Sequence, residues 1–163
     1  MSETDGRWPV FYENWENYQK LIVQAVVPLS SNQLKLRVAP HLRTLSDLVA
    51  HIITTRVNWF HDVAGAGGKD VEVYMDWDFD NAPQRGPDEL RTGLEASWQL
   101  VINALNTWTT AEFIEPFQVQ GRDQVFSITR QWITWHVLEH DLHHGGELSF
   151  SLGIHGLPGV NID

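Results

Sequence analysis

The residues best suited to chemistry lie in one segment near the end of the chain, from Gln131 to Leu148. It holds half of the eight histidines of the sequence, and three of them are spaced four residues apart: His136, His140 and His144. At about 100° per residue, this spacing places the three imidazoles on one side of a helix. Imidazole is the commonest metal ligand, and a pair four residues apart can present two ring nitrogens to one ion. The segment therefore predicts a helix that carries metal ligands.

A third ligand is expected from another helix, because two histidines alone bind a metal weakly. His51 follows the run Leu-Val-Ala, and on a helical wheel it borders an inward sector that contains Ile52, Thr55 and Trp59. One histidine from an early helix and two from the last would leave coordination positions open, which is typical of a working metal site rather than a closed structural one. The alternative is a group of imidazoles without a joint role.

Several neighbours of these histidines are expected to support the ligands. His136 precedes the ligand pair by one turn and is expected in the cavity wall, since one helix rarely supplies three ligands to one ion. His143 could compete with His144, but only His144 keeps the four-residue step. Among the acidic residues of the segment, Glu147 lies closest to the histidines and could orient a ring N–H group. Exposed helix charge is the alternative, and it is favoured for Asp141. The supporting candidates are His136, Glu147, Thr55 and Trp59.

The whole pattern resembles the DinB/YfiT-like superfamily. The resemblance rests on His-x-x-x-His-x-x-x-His-x-Gly-Glu from His136 to Glu147, on Leu-Val-Ala-His-Ile around His51, and on a tryptophan eight residues after that histidine. Members are four-helix bundles, often dimeric, that typically bind a divalent metal through three histidines. Some are thiol-dependent transferases or isomerases. The resemblance covers nearly the whole chain and implies His51, His140 and His144 as the metal ligands.

One departure from the superfamily pattern follows the last ligand. Many members have Arg-Gly-Gln there, whereas this chain has Gly145, Gly146 and Glu147. The ligands are kept, but the arginine and any anion contact that it would make are absent.

Composition limits the classes of protein that need to be considered. A chain of 163 residues with 42% hydrophobic and 20% charged residues predicts one globular domain, 1–163, with a substantial core. A net charge of −10 argues against nucleic-acid binding, and with it against a DNA-damage partner. Without cysteine there is no disulfide, no thiolate ligand and no cysteine nucleophile, so any reacting thiol must come from a small molecule. No signal peptide or membrane-length apolar run is evident, which makes the cytoplasm the expected compartment.

The apolar periodicity predicts an all-α protein, an up-down four-helix bundle with long connectors. The four helices are predicted at residues 8–27, 44–63, 87–108 and 127–152. Thr44 with Asp47 forms a capping box for the second helix, and Ser127 is expected to cap the fourth. A short helical turn is expected at residues 32–36. The acidic segment 69–85 is expected to be a solvated loop, anchored by Trp77 and Phe79. Alternation between residues 117 and 126 predicts a short β hairpin or an extended pair around Gly-Arg-Asp.

The fourth helix is apolar on a second face as well. Trp135, Leu138 and Leu142 lie roughly opposite the histidines. Such a helix is expected to be buried on both sides, which favours a homodimer. The alternative is that this face packs on another helix of the same chain.

The ligand set and the resemblance together indicate a metal-dependent transferase that uses a low-molecular-weight thiol and a small-molecule substrate. A metal-dependent hydrolase and a non-catalytic protein with a stabilising metal are the alternatives. Zinc is the first expectation for the ion and nickel the second, because imidazole suits both. The pattern identifies no catalytic side chain beyond the ligands.

Overall fold

The computed structural model of the protein describes residues 9–121 and 123–162. Within them lie α1 (Pro9–Val26), α2 (Leu45–Val57), α3 (Pro87–Thr107), α4 (Thr110–Ile114), β1 (Phe117–Gln120), β2 (Val125–Ile128) and α5 (Arg130–Ile154). The long helices α1, α2, α3 and α5 form a bundle in which α2 packs against both α3 and α5. The predicted four-helix bundle and the hairpin before its last helix are thereby confirmed. Among these residues, no helix combines the length and the apolar character that crossing a membrane would require.

The helices begin and end close to the predicted residues, for local reasons. Thr44 and Asp47 form the predicted capping box at the start of α2, with the Thr44 hydroxyl accepting from the Asp47 N–H and the Asp47 carboxylate accepting from the Thr44 N–H. A π-helical segment, Asn58–Val63, continues α2 to the predicted end. The predicted turn in the first connector is a 3₁₀ helix, Gln33–Lys35. Trp8, where the first helix was predicted to begin, lies outside the described residues.

The start of the last helix corrects the prediction. Thr129, not Ser127, caps α5, and its hydroxyl accepts a hydrogen bond from the Trp132 N–H. Ser127 is instead a β2 residue opposite Gln118 in the antiparallel hairpin. Its backbone is therefore held by strand pairing and is unavailable for a helix cap. Residue 122, in the predicted turn of the hairpin, is not among the described residues.

The acidic segment between α2 and α3 is more ordered than predicted. A 3₁₀ helix, Lys69–Tyr74, begins it, and the Trp77 side chain is buried in the core. Asp78 is half-buried and hydrogen-bonded, so the expectation of a fully solvated loop is wrong at this position. Phe79 is 62% exposed and does not anchor the segment.

A buried polar network connects the four long helices. Arg56 of α2 and Asp141 of α5 have no exposed side-chain surface, and Arg56 Nη2 lies 2.8 Å from Asp141 Oδ2. Trp15 of α1 donates from Nε1 to the same oxygen at 2.8 Å, and Arg56 Nη1 donates to Gln19 of α1 at 2.7 Å and to Ser97 of α3 at 3.4 Å. The expectation that Asp141 is an exposed helix charge is therefore wrong. A buried carboxylate requires such partners, because an unpaired buried charge is strongly unfavourable.

Candidate metal centre

The three histidines predicted as ligands come together between α2 and α5. The ring centroids are 4.6 Å apart for His51 and His140, 4.5 Å for His51 and His144, and 4.3 Å for His140 and His144. One potential ligand atom from each ring lies within 4.8 Å of the other two. Nitrogens this close together can bind one ion.

A carboxylate sets the orientation of the His51 ring. His51 Nδ1 lies 2.5 Å from Asp78 Oδ2, and because an ionised carboxylate only accepts, we assign the ring proton to Nδ1. The lone pair is then on Nε2, which faces the other histidines. Carboxylate partners of this kind commonly orient metal-binding histidines.

His144 has an equivalent partner on its own helix. Its Nδ1 lies 2.6 Å from Glu147 Oε2, which again assigns the proton to Nδ1 and the lone pair to Nε2. Burial lowers the pKa of His144, and the hydrogen bond to Glu147 opposes that shift in part. The structure thus brings Glu147 into contact with His144, and its orienting role stays a prediction.

His140 lies between the other two and is held differently. Its Nε2 is 2.9 Å from His51 Nε2 and 3.2 Å from the Thr55 hydroxyl. Its Nδ1 is buried and has no hydrogen-bond partner in the described part of the chain. Burial, and after it the neighbouring imidazoles, lower the pKa of His140 to about 3. The ring is therefore neutral at pH 7, the form in which an imidazole binds metal.

The donor set fits a divalent ion. One nitrogen of each of the three imidazoles lies within 4.8 Å of the other two, and two of the rings have carboxylates hydrogen-bonded to Nδ1. Nitrogen donors of this type suit zinc and nickel. Three neutral ligands would also leave the charge of such an ion uncompensated, which is the condition for acidifying a coordinated group.

An aromatic wall borders the site on the side of His136. The His136 ring stacks on Trp132 at 4.9 Å with an interplanar angle of 10°, and Trp59 contacts it edge-on at 4.9 Å. The centroids of the His136 and His140 rings are 6.4 Å apart, so His136 lies beside the three-histidine cluster, and its supporting role stays a prediction. The sequence analysis did not predict a place for Trp132 in this wall. Its position four residues before His136 on the same helix could have indicated the contact, because residues four apart lie on the same face.

Two other contributions to the site were missed by sequence reasoning. Asp78 was assigned to a solvated loop, and nothing local links it to His51, which is 27 residues earlier. The ion pair of Arg56 and Asp141 anchors α5 one residue after His140. An arginine within the apolar run of α2 was the available signal for a buried ion pair.

The remaining described histidines lie apart from the three-histidine cluster or at its edge. His143 is exposed, and its Nε2 is 3.7 Å from Glu147 Oε1. His61 Nδ1 lies 2.7 Å from the Ala66 carbonyl oxygen, and His155 Nε2 lies 3.2 Å from the Arg37 carbonyl oxygen. A second potential ligand group, His143, His144 and Glu147, shares one residue with the cluster but is mostly exposed.

The fold and the site define a helical bundle with a three-histidine cluster between two of its helices. The chain belongs to the DinB family, whose model matches residues 1–163. No curated protein matches the sequence.

Solved structures share the fold at low sequence identity. A DinB-like protein from Bacillus cereus ATCC 10987 matches with a TM-score of 0.71 and 20% identity, over 93% of this chain and 95% of that one. A DinB-like protein from Bacillus subtilis matches with a TM-score of 0.65 and 14% identity, over 91% and 93%. A conserved protein from Enterococcus faecalis matches with a TM-score of 0.67 and 12% identity, over 89% and 94%. At these identities the likeness concerns the fold alone.

Proposed function

We propose that this protein binds one divalent ion through His51, His140 and His144 and transfers a low-molecular-weight thiol to a small electrophile. The observation that carries the proposal is the convergence of three imidazoles, one from α2 and two from α5. Zinc is the first candidate for the ion and nickel the second. When bound, the ion would supply the positive charge that lowers the pKa of a coordinated thiol or water.

The side chains around the cluster have separate tasks in this proposal. Asp78 and Glu147 hold the protons of His51 and His144 on Nδ1, which keeps both Nε2 lone pairs available. The Thr55 hydroxyl, 3.2 Å from His140 Nε2, offers a hydrogen bond to a bound group. The aromatic wall of Trp59, Trp132 and His136 offers an apolar surface for the electrophile.

The absence of cysteine supports an external thiol as the nucleophile. No sulfhydryl of the chain is available to react or to compete for the site. In the proposed reaction the thiol loses its proton to solvent, its sulfur bonds to an electrophilic carbon, and a leaving group departs with the electron pair of its bond. A cytoplasmic location is part of the proposal, since small thiols are kept reduced there.

Metal binding is the first test. We expect about one zinc or nickel ion per chain by elemental analysis, and loss of most of it in His51→Ala, His140→Ala and His144→Ala, because each removes one of three ligands. His155→Ala is the matched control and should keep full metal content. Full metal content in His51→Ala would refute a site shared between α2 and α5.

The reaction itself is tested by varying the thiol. With zinc-loaded protein and a panel of alkyl halides and epoxides, conjugates should form faster than in buffer only when a thiol is supplied, and His140→Ala should lose this acceleration. Ester or amide hydrolysis without thiol would replace the proposal with water activation, the alternative that the same ligand set permits.

A stabilising, non-catalytic metal is the second candidate, favoured by the location of the ligands on two helices. An ion bound by α2 and α5 would connect them across the bundle, and ligands that bind only the folded state raise its stability by mass action. This candidate is preferred if metal raises the melting temperature while thiols and electrophiles leave the visible spectrum of cobalt-substituted protein unchanged.

A further inference from the structure

A histidine and a glutamate lie side by side on the exposed surface of α5, next to the three-histidine cluster. The Nε2 atom of His143 is 3.7 Å from the Oε1 atom of Glu147, and the two side chains are 67% and 47% exposed. The residues are four positions apart in one helix, so their side chains project from successive turns of the same face. The helix backbone therefore keeps an imidazole and a carboxylate close together.

The separation of these two atoms is close to what one metal ion requires. A nitrogen and an oxygen bound to zinc at about 2.0–2.2 Å in tetrahedral geometry lie roughly 3.4 Å apart. Two exposed side chains need only a small rotation to reach that separation from 3.7 Å. If His144 is included, one potential ligand atom from each of the three residues lies within 4.8 Å of the other two.

No lysine or arginine competes with a metal ion for this glutamate. In the described part of the chain, the ion-pair partners of Glu147 are the imidazoles of His143 and His144. Helix α5 contains no lysine or arginine after its first residue, Arg130. Glu139, four residues before His143, is exposed as well. In a chain of net charge −10, this surface of α5 attracts cations.

Glu147 connects the exposed pair to the three-histidine cluster. Its Oε2 atom lies 2.6 Å from Nδ1 of His144, while its Oε1 atom is the one near His143. An ion on Oε1 would withdraw negative charge from the oxygen that accepts the His144 N–H, and the Nε2 atom of His144 would become a weaker donor to metal. Two cations near the same carboxylate would also repel each other.

We propose that His143 and Glu147 form a second, weaker site for a divalent zinc or nickel ion, and that an ion bound there weakens metal binding at the three-histidine cluster. His143 contributes Nε2, Glu147 contributes Oε1, and water completes the coordination. The site is the weaker one because it has two exposed protein ligands instead of three. The cluster is then filled at low metal concentration and loses affinity when metal is in excess. The coupling rests on metal binding by the cluster as proposed above.

The first experiment measures the second site without an intact cluster. Metal-free His140→Ala, which retains His143 and Glu147, is dialysed against increasing zinc concentrations, and bound zinc is determined by elemental analysis. We expect a weak, saturable ion that is kept in H140A/H155A, the matched control, and lost in H140A/H143A. Zinc held by the remaining cluster histidines is common to all three proteins, so the comparison isolates His143. Equal zinc binding in His140→Ala and H140A/H143A would overturn the site.

The second experiment tests the coupling. The dissociation constant of the weak ion is measured in the parent protein, with its cluster filled, and in His140→Ala. Thermodynamic linkage requires that a filled cluster weakens the second ion by the same factor as the second ion weakens the cluster. We expect a constant about fivefold higher in the parent protein, the lower range of such couplings. Equal constants would overturn the coupling.

A second variant checks that the difference does not come from the loss of His140 itself. His51→Ala disrupts the cluster from α2 and leaves every side chain of α5 in place. It should give the same constant for the weak ion as His140→Ala. A constant equal to that of the parent protein would also overturn the coupling.

The two experiments separate this inference from the proposed function. Zinc binding by His143 and Glu147 requires neither an intact cluster nor a thiol, so its failure leaves thiol transfer untouched. If the parent protein binds no tight ion, the proposed function and the coupling both fail. The second site is still decided by the comparison of His140→Ala with H140A/H143A.

Discussion

The three histidines of the site are held in different ways. His51 and His144 each have a carboxylate on Nδ1, whereas His140 Nδ1 has no partner in the described part of the chain. His140 is kept in place by packing against the other two rings and by the Thr55 hydroxyl. We therefore expect metal binding by this cluster to depend on two acidic residues, Asp78 and Glu147, as well as on the histidines.

Asp78→Asn should weaken metal binding without removing a ligand. The amide is neutral and holds the proton on His51 Nδ1 less strongly, so we expect zinc affinity to fall by about 10–100-fold. Asp76→Asn, two residues earlier on an exposed side chain, should change the affinity little. Chelator competition measures both, and equal affinities in the two variants would exclude an orienting role for Asp78.

At the scale of elements, α5 carries both residues of the candidate site and residues whose contacts hold the helix in the bundle. It carries two of the three clustered histidines, the buried Asp141, and two adjacent glycines with opposite surroundings. A Cβ on Gly145 would lie 2.2 Å from the Tyr18 hydroxyl oxygen, whereas one on Gly146 would meet nothing within 4 Å. Close contact between α1 and α5 therefore requires glycine at the first position only.

The glycine pair makes a matched test of this packing. Gly145→Ala should destabilise the fold by about 1–3 kcal/mol, because the Tyr18 ring must move to admit the methyl group. Gly146→Ala should stabilise it by up to about 1 kcal/mol through helix propensity. Urea unfolding of the metal-free proteins measures both changes, and the same sign for the two variants would show that α1 does not approach α5 as described.

The ion pair of Arg56 and Asp141 is the second support of α5. Asp141→Asn keeps the shape but leaves the Arg56 charge buried without a counter-charge, so we expect a loss of about 3–5 kcal/mol in the free energy of unfolding. Glu139→Gln, an exposed neighbour on the same helix, should stay within about 0.5 kcal/mol. Urea unfolding of the two variants measures both changes in the free energy of unfolding. A small loss in Asp141→Asn would mean that water reaches Arg56.

At the scale of the whole molecule, one face of α5 remains open. Trp135 is 57% exposed, Leu142 46% and Phe150 64%, while Leu138, assigned to the same face from the sequence, is buried in the core. Large apolar side chains exposed along one helix are typical of an interaction surface. The homodimer expected from the sequence stays a prediction, now with Trp135 and Leu142 as its proposed contacts.

Light scattering at micromolar concentration tests the dimer. We expect twice the 18.7 kDa chain mass for the parent protein. The variant W135E/L142E should have the monomer mass, since two charges would be buried without partners in the interface. Val73→Glu, on an exposed apolar residue far from α5 in sequence, should remain dimeric. A monomeric parent protein would show that a homodimer does not account for the exposed apolar face of α5.

The sequence by itself determined the helices, the hairpin and the histidines that come together. His140 and His144 could be read from their four-residue step, and His51 from its place on an inward helix face, because helix periodicity is a local property. The Thr44 capping box was equally local. Ser127 was misassigned because cross-strand pairing with Gln118, a tertiary contact, takes precedence over capping preference.

Only the tertiary structure decided which side chains support the histidines. Asp78 meets His51 across a loop, and Asp141 meets Arg56 from a helix 85 residues away. In the sequence, each acidic residue is indistinguishable from a solvated charge, since burial and partner are set by how distant elements pack. The periodicity of one helix specifies which way a side chain faces, but not what it meets there.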